Sequence, residues 1–453
     1  MNVSAYFSVL GGLLFGLCSL ASAQQPPNIV LIMADDLGYG DLGTYGQERI
    51  HTPHIDSLAA GGMRFTDYYA GSTVCAPSRD ALLTGMHTGH TFIRGNFLTD
   101  AEEDPALPSD KVTIAELLKK AGYRTALFGK WGLGGEGHGP ETQGFDRSVC
   151  YLDQIQAHNY YPEYLYEDGQ RIPLDSVYSH HLFVDKTLEF INDQDSSQPF
   201  FLYLPYTLPH GKHVIPDNAP YTAMDWPEQF KNYAAMVTLL DSDVGRIVQA
   251  LRDRGMDGNT VVLFMSDNGA NPAFAKFFNS NAHLRGAKRD LYDGGIRVPL
   301  VVNWPGTVAA NQTTGHISAA WDLLPTLCEV AGVTPPAGID GLSLLPLLTG
   351  ETGKQPEHAH LYWENYTYNY DWNKPKNKLP RNWLENRAAR YGKWKAVQHS
   401  LYENANAPIE LYDLETDPGE TRDLADDQPE LIRKMVEIFD NAASTTLYFP
   451  YTK

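Results

Sequence analysis

The chain has 453 residues, 43% hydrophobic and 20% charged, which are the proportions of a globular protein rather than a disordered chain or a membrane bundle. Its 35 Lys and Arg against 55 Asp and Glu give a formal charge of −20, which argues against the basic footprint of a general nucleic-acid binder. An anionic substrate would have to be held by cations gathered locally against that field.

In chain order, residues 6–20 form an apolar run closed by Ala21-Ser22-Ala23. That small-x-small ending predicts an export leader over 1–23 with Gln24 as the mature start, although no Lys or Arg precedes the run. Leu17 is bulky where a lipid-attachment site at Cys18 wants a small residue, so soluble export to the periplasm or beyond is expected. No later stretch reaches the ~18 apolar residues that span a bilayer. Three cysteines then remain, Cys75, Cys150 and Cys328. The odd number sets one thiol apart. Cys150 and Cys328 either pair or stay as buried thiols.

Short apolar runs at 28–33, 125–129, 199–205, 260–265 and 298–303 read as strands. Helices are predicted at 54–61, 78–84, 112–121, 179–193, 230–254 and 320–331. The fifth keeps Met236, Leu239, Leu240, Val244, Ile247 and Leu251 at three- and four-residue spacing. This alternation predicts an α/β fold with a large, mostly parallel sheet sandwiched by helices, over residues 24–350. Near Gly350 the texture changes. Residues 362–394 are dense in Tyr and Trp, strands are expected at 394–397 and 409–412, and a helix from 428 to about 442. These features predict a smaller C-terminal α+β subdomain over 351–453 with a short antiparallel sheet. Its aromatic residues either stack on sugar faces or pack the subdomain on the first.

Two segments end a strand in acids. In NIVLIMADD, Asp35 and Asp36 follow an apolar run, and neighbouring strand residues converge only where the strand has turned. VVLFMSDNG repeats the build with Asp267 and Asn268. Strand carboxyl ends are where α/β sheets bind ligands. Three carboxylates and an amide oxygen facing one point would suit Ca²⁺, or Mg²⁺; the alternative is that each pair caps its own loop. In CAPSRDALLTG, Pro77 suits a first helical turn, which sets Cys75 at a helix N-terminus that favours an anion. Arg79 on the same turn offers a permanently charged fork.

C-A-P-S-R followed by D-A-L-L-T-G resembles the signature of the type I sulfatases of the alkaline phosphatase superfamily. Further blocks agree in order: PNIVLIMADDLGYGDLGTYG, GYRTALFGKWGLG, PHGKH, SDNG, GAKRDLYDGGIRVP and the terminal ELYDLETDPGETRDLA. The resemblance implies that a formylglycine-generating maturation enzyme oxidises Cys75 to formylglycine. It implies calcium ligands at Asp35, Asp36, Asp267 and Asn268, with residue 75 also touching the metal. Arg79 and Lys130 would steady the hydrated aldehyde, Lys288 would hold the sulfate, and His210 would protonate the leaving oxygen. One hydroxyl of the hydrate attacks sulfur; deprotonation of the other re-forms the aldehyde and expels sulfate. The substrate implied is a sulfated carbohydrate. A phosphodiester or phosphonate hydrolase with the same nucleophile, or an inactive glycan-binding relative, are the alternatives.

The sequence departs from the pattern once. Many members carry His two residues after the Lys, to deprotonate that second hydroxyl; here the position is Gly132, and His138 is a candidate substitute. Arg94, Arg285, Arg289 and Arg297 lie in or beside the matched blocks, as contacts for further substrate anions or as structural ion pairs.

Overall fold

The computed structural model describes residues 25–96, 106–195, 197–367, 383–401 and 404–445. The expected leader at 1–23 and residues 368–382 of the aromatic-rich stretch lie outside them. Ten strands form one sheet, in the order Gln312–Thr314, Met63–Phe65, Leu300–Asn303, Thr260–Ser266, Asn28–Ala34, Phe200–Pro205, Arg124–Lys130, Arg147–Tyr151, Tyr164–Glu167 and Gln170–Pro173. The five from Thr260–Ser266 to Arg147–Tyr151 run parallel. Antiparallel pairings flank them on both sides.

A parallel sheet is covered on both faces, so its strands are apolar throughout rather than alternating. Asn28–Ala34 is buried at every position: Ile29, Leu31 and Met33 enter one core, and Val30, Ile32 and Ala34 the other. The second core is closed by helix Glu228–Asp253, whose Met236, Leu240, Val244, Ile247 and Leu251 are buried as expected, with Leu239 of the expected stripe only partly buried and Tyr233 joining it. On the opposite face lie helices Ile114–Lys120 and Leu323–Val330. Cys150 and Cys328 sit in that core as buried free thiols.

A separate four-stranded antiparallel sheet follows, Leu361–Thr367, Trp383–Tyr391, Trp394–Gln398 and Ile409–Asp413. The sequence reading gave only the last two of these strands. One face takes Met435, Ile438 and Phe439 of helix Pro429–Asn441. The other sets Trp363 against Tyr69 and Trp321, with its indole nitrogen donating to the carbonyl of Ala70 at 3.0 Å. Of the two roles expected for the aromatic stretch, Trp363 has the packing one. Ion pairs cross the same seam: Arg94 meets Glu364 at 2.7 Å, and Lys395 meets Asp293 at 2.6 Å.

Candidate active site

Four adjacent parallel strands end at the same edge of the sheet, and each delivers part of one cluster. Thr260–Ser266 is followed by Asp267 and Asn268, and Asn28–Ala34 by Asp35 and Asp36. Phe200–Pro205 leads to His210, and Arg124–Lys130 ends on Lys130 itself. Asp36 adopts φ 67°, a left-handed turn that Asp tolerates, and this lets consecutive acids share one site. Its amide donates to Asp267 Oδ1 at 3.1 Å and the amide of Leu37 to Ser266 Oγ at 3.1 Å, which stitches the two strand ends together.

Helix Cys75–Thr84 starts against this edge, and all ten of its residues are buried. Ser78 Oγ accepts from the amide of Gly71 at 3.1 Å and donates to the carbonyl of Asp267 at 2.5 Å. Arg79 donates to the carbonyl of Lys130 at 2.8 Å, and its fork meets Asp267 at 2.9 Å and Asp35 at 3.2 Å. Asn96, to which the sequence reading gave no role, accepts from the amide of Ala76 at 3.0 Å and lies 3.6 Å from Cys75 Sγ. Lys288 arrives on a loop that crosses the second acid pair. Its amide donates to Ala270 O, and Gly269 approaches so closely that a Cβ there would lie 2.0 Å from Gly294 O.

Lys130 Nζ is 2.8 Å from Asp35, Lys288 Nζ 2.6 Å from Asp36, and His210 Nε2 3.5 Å from Asp36. Asn268 Nδ2 donates to Asp36 at 2.8 Å. Every residue that the motifs singled out, Asp35, Asp36, Cys75, Arg79, Lys130, His210, Asp267, Asn268 and Lys288, thus belongs to one cluster. His138 does not: it is exposed, and its carbonyl accepts from the Trp131 indole.

Electrostatics follow from burial. Lys130, His210 and Arg79 hold Asp35 far below the usual carboxylate range against its desolvation. Asp267 moves the other way, to about 7, because burial and the neighbouring Asp35 and Asp36 outweigh Arg79. Burial raises the Cys75 thiol. Burial, with Lys288, pushes His210 down to about 3 against the pull of Asp36 and Asp35, so the imidazole is neutral at pH 7.

The donor set fits a hard dication. Asp35, Asp36 and Asp267 offer carboxylate oxygens within 4.8 Å of one another, and an Asp35 oxygen, Cys75 Sγ and a ring nitrogen of His210 lie equally close as a second group. Asp35 Oδ1 and Asn268 Oδ1 are buried without a hydrogen-bond donor. Such orphaned acceptors cost about 1–3 kcal/mol each unless something positive meets them.

A cleft of about 220 Å³ opens onto the cluster, lined by Asp36, His158, His210, Gly211, Asn271, Pro272, Lys288 and Arg289. His158 was invisible to motif reasoning because it ends a short 3-10 turn, Gln156–His158, 52 residues before His210, and meets it only in three dimensions. The two rings are 4.5 Å apart. Burial, with Lys130, lowers the His158 imidazole below its ordinary value. Its Nδ1 lies 3.1 Å from Ile155 O, to which it donates, and among the described residues Nε2 has no hydrogen-bond partner. Gly132 turns at φ 71° beside Gln154 and contributes no side chain.

The chain is similar to known proteins over most of its length. The sulfatase family model matches residues 27–333, and the model for the N-sulphoglucosamine sulphohydrolase C-terminal region matches 283–442. Arylsulfatase A of Bos taurus is 34% identical over 454 residues, covering 90% of this chain and 85% of that protein. N-acetylgalactosamine-6-sulfatase of Sus scrofa is 36% identical over 368 residues, covering 74% and 69%. The solved structure of Ps i-CgsB in complex with k-i-k-neocarrahexaose superposes with a TM-score of 0.78 at 29% identity, covering 94% of this chain and 96% of that one.

Proposed function

Because the chain belongs to the sulfatase family and is a sulfuric ester hydrolase, we propose that it removes O-sulfate from a sulfated glycan, with calcium and a formylglycine at position 75. One observation carries this reading: three buried carboxylates and two orphaned oxygens converge beside Cys75, Arg79, Lys130, Lys288 and His210. The glycan class rests on relatives named as acting on N-acetylgalactosamine sulfate, or solved with a carrageenan hexaose. Residues 24–350 would form the catalytic unit and 351–453 the subdomain packed on it. Export through the 1–23 leader, and maturation by a formylglycine-generating enzyme, belong to the same proposal.

Asp35, Asp36, Asp267 and Asn268 would hold Ca²⁺, with residue 75 beside it. Bound there, such an ion would supply Lewis-acid polarisation of the sulfate and offset the repulsion among these carboxylates. Formylglycine, as its hydrate, supplies a nucleophilic oxygen and a second hydroxyl for release; the Cys75 Sγ stands where that oxygen would be. Arg79 and Lys130 keep residue 75 in a positive field. Lys288 binds a non-bridging sulfate oxygen, which places the ester in the cleft with its leaving oxygen toward His210. The ester's negative charge opposes the Lys288 repulsion that depresses His210, so substrate binding favours the imidazolium that the departing alkoxide needs. With Gly132 in place of a histidine, His158 takes the second proton, its unprotonated Nε2 being the available base.

The test is sulfate release from a panel of defined sulfated sugars, beside aryl sulfate, phosphate and phosphonate esters, with mass spectrometry of the Cys75 peptide. Sulfate release with a peptide mass lowered by conversion to the aldehyde supports the reading. Preferred turnover of phosphonates, or an unmodified thiol in active enzyme, refutes it.

A further inference from the structure

Three of the four arginines flagged by sequence already have partners within the protein, whether buried, as Arg94 and Arg297 are, or exposed, as Arg285 is. Arg94 is bound by Glu364, Arg297 by Asp67 and Asp293, and Arg285 by Tyr412 and the carbonyl of Glu420. Arg289 is different. It is exposed, lines the cleft beside Lys288 and His158, and among the described residues its guanidinium has no ion-pair or hydrogen-bond partner.

Its backbone is unusual as well. Arg289 holds φ 82°, in the left-handed region that favours glycine. The conformation is fixed from outside by its amide donating to Thr73 O at 3.1 Å, two residues before Cys75, and by Lys288 N donating to Ala270 O at 2.9 Å. Strained backbone that its surroundings enforce is characteristic of ligand-contacting positions. Here it sets a forked, permanently charged side chain at the rim of the cleft, in a protein whose net charge is −20.

We propose that Arg289 forms an anion subsite for a second fixed negative charge on the glycan, a further sulfate or a uronate carboxylate, next to the sulfate ester that is cleaved. The proposal rests on the sulfatase reading above and adds the substrate class: a multiply charged glycan rather than a monosulfated neutral one. A guanidinium binds either oxyanion in the same two-pronged way, so the chemistry is shared and the source is settled by experiment.

The experiment compares N-acetylgalactosamine 6-sulfate, its 4,6-disulfate and the chondroitin 6-sulfate disaccharide. Binding is measured by calorimetry on the Cys75→Ala protein, which cannot turn over, and kcat/KM on the mature enzyme. Arg289→Gly removes the fork and relieves the backbone. Expected is at least tenfold tighter binding of the disulfate or of the uronate-bearing disaccharide over the monosulfate, reduced to within twofold by Arg289→Gly. Which of the two gains identifies the source. Arg289→Gly is also expected to melt no lower than the parent protein. No discrimination in the parent, or discrimination that survives Arg289→Gly, overturns the subsite. Sulfate release by the mature enzyme without such discrimination leaves the sulfatase reading standing, whereas release from no ester at all removes that reading itself.

Discussion

Arg79 and Asp267 are bound to each other at 2.9 Å with neither side chain more than 1% exposed, and the same guanidinium nitrogen reaches Asp35 at 3.2 Å. The contact joins a helix start to two strand ends. Breaking a buried pair leaves the remaining charge unpaired in a dry site, at a cost of about 3–5 kcal/mol. Arg79→Ala is therefore expected to lower the unfolding free energy from urea titration by that order, with a lower midpoint, as well as to abolish activity. Arg79→Lys should recover part of the stability, since it restores charge without the fork. Equal stability of Arg79→Ala and the parent would show that the clamp is unimportant to the fold.

Removal of metal gives a second expectation. A chelator should suppress sulfate release and lower the melting temperature, and added Ca²⁺ should restore both, because ligand-linked stability follows the free ion. Asn268→Ala deletes one of the two orphaned oxygens. We expect it to weaken calcium binding by roughly tenfold, the effect of about 1.4 kcal/mol, with secondary structure intact by circular dichroism. A melting temperature indifferent to chelator and calcium alike would exclude a resident ion.

His210 can be tested through the leaving group. An alkoxide needs a proton as the S–O bond breaks, whereas nitrophenolate departs unaided. His210→Ala should lower kcat on a sugar or alkyl sulfate by about 10²–10⁴-fold, the usual worth of a general acid, and on 4-nitrophenyl sulfate by much less. Equal losses on both would mean that the ring positions the ester rather than protonating it.

The buried rings also shape acid stability. Burial holds His87 down to about 3 against the attraction of Asp340, from an ordinary value of 6.5. A depressed folded-state value contributes stability above pH 6.5 that is lost as pH falls from there toward 3, because the unfolded chain takes up the proton first. His87→Gln should shift the acid-unfolding midpoint, followed by fluorescence, to lower pH than in the parent. An unchanged midpoint would assign acid unfolding to other groups.

How much of this was legible in the sequence depended on whether the signal was local. The acid pairs were readable because each sits where an apolar strand stops, and parallel pairing then brings Asp35 and Asp267 to one edge. Pro77 marked a helix start beside Cys75 and Arg79, but the resemblance, not the local pattern, gave these two residues their roles. The strands Leu361–Thr367 and Trp383–Tyr391 were missed since a Tyr- and Trp-rich composition fits stacking surface and sheet alike. The edge strand Gln170–Pro173, with no position fully buried, had no apolar pattern to read. The Lys288–Asp36 contact joins residues 252 positions apart, and here only resemblance marked the lysine. The φ of Arg289 left no trace in composition.

His158 is the residue whose role separates this chain most clearly from a pattern that has a histidine two places after the lysine. It faces the cleft with its Nδ1 donating to Ile155 O, its imidazole held below the ordinary value by burial and Lys130, and its Nε2 without a partner among the described residues. If it removes the second proton, His158→Gln should leave sulfuryl transfer intact and slow only the release step. Stopped-flow assays with 4-nitrophenyl sulfate should then show a burst of about one nitrophenol per enzyme followed by turnover reduced about 10²-fold or more, with mass spectrometry finding sulfate still on residue 75. Loss of the burst along with turnover would place His158 in the first step instead. Parent-like turnover would leave the proton to solvent.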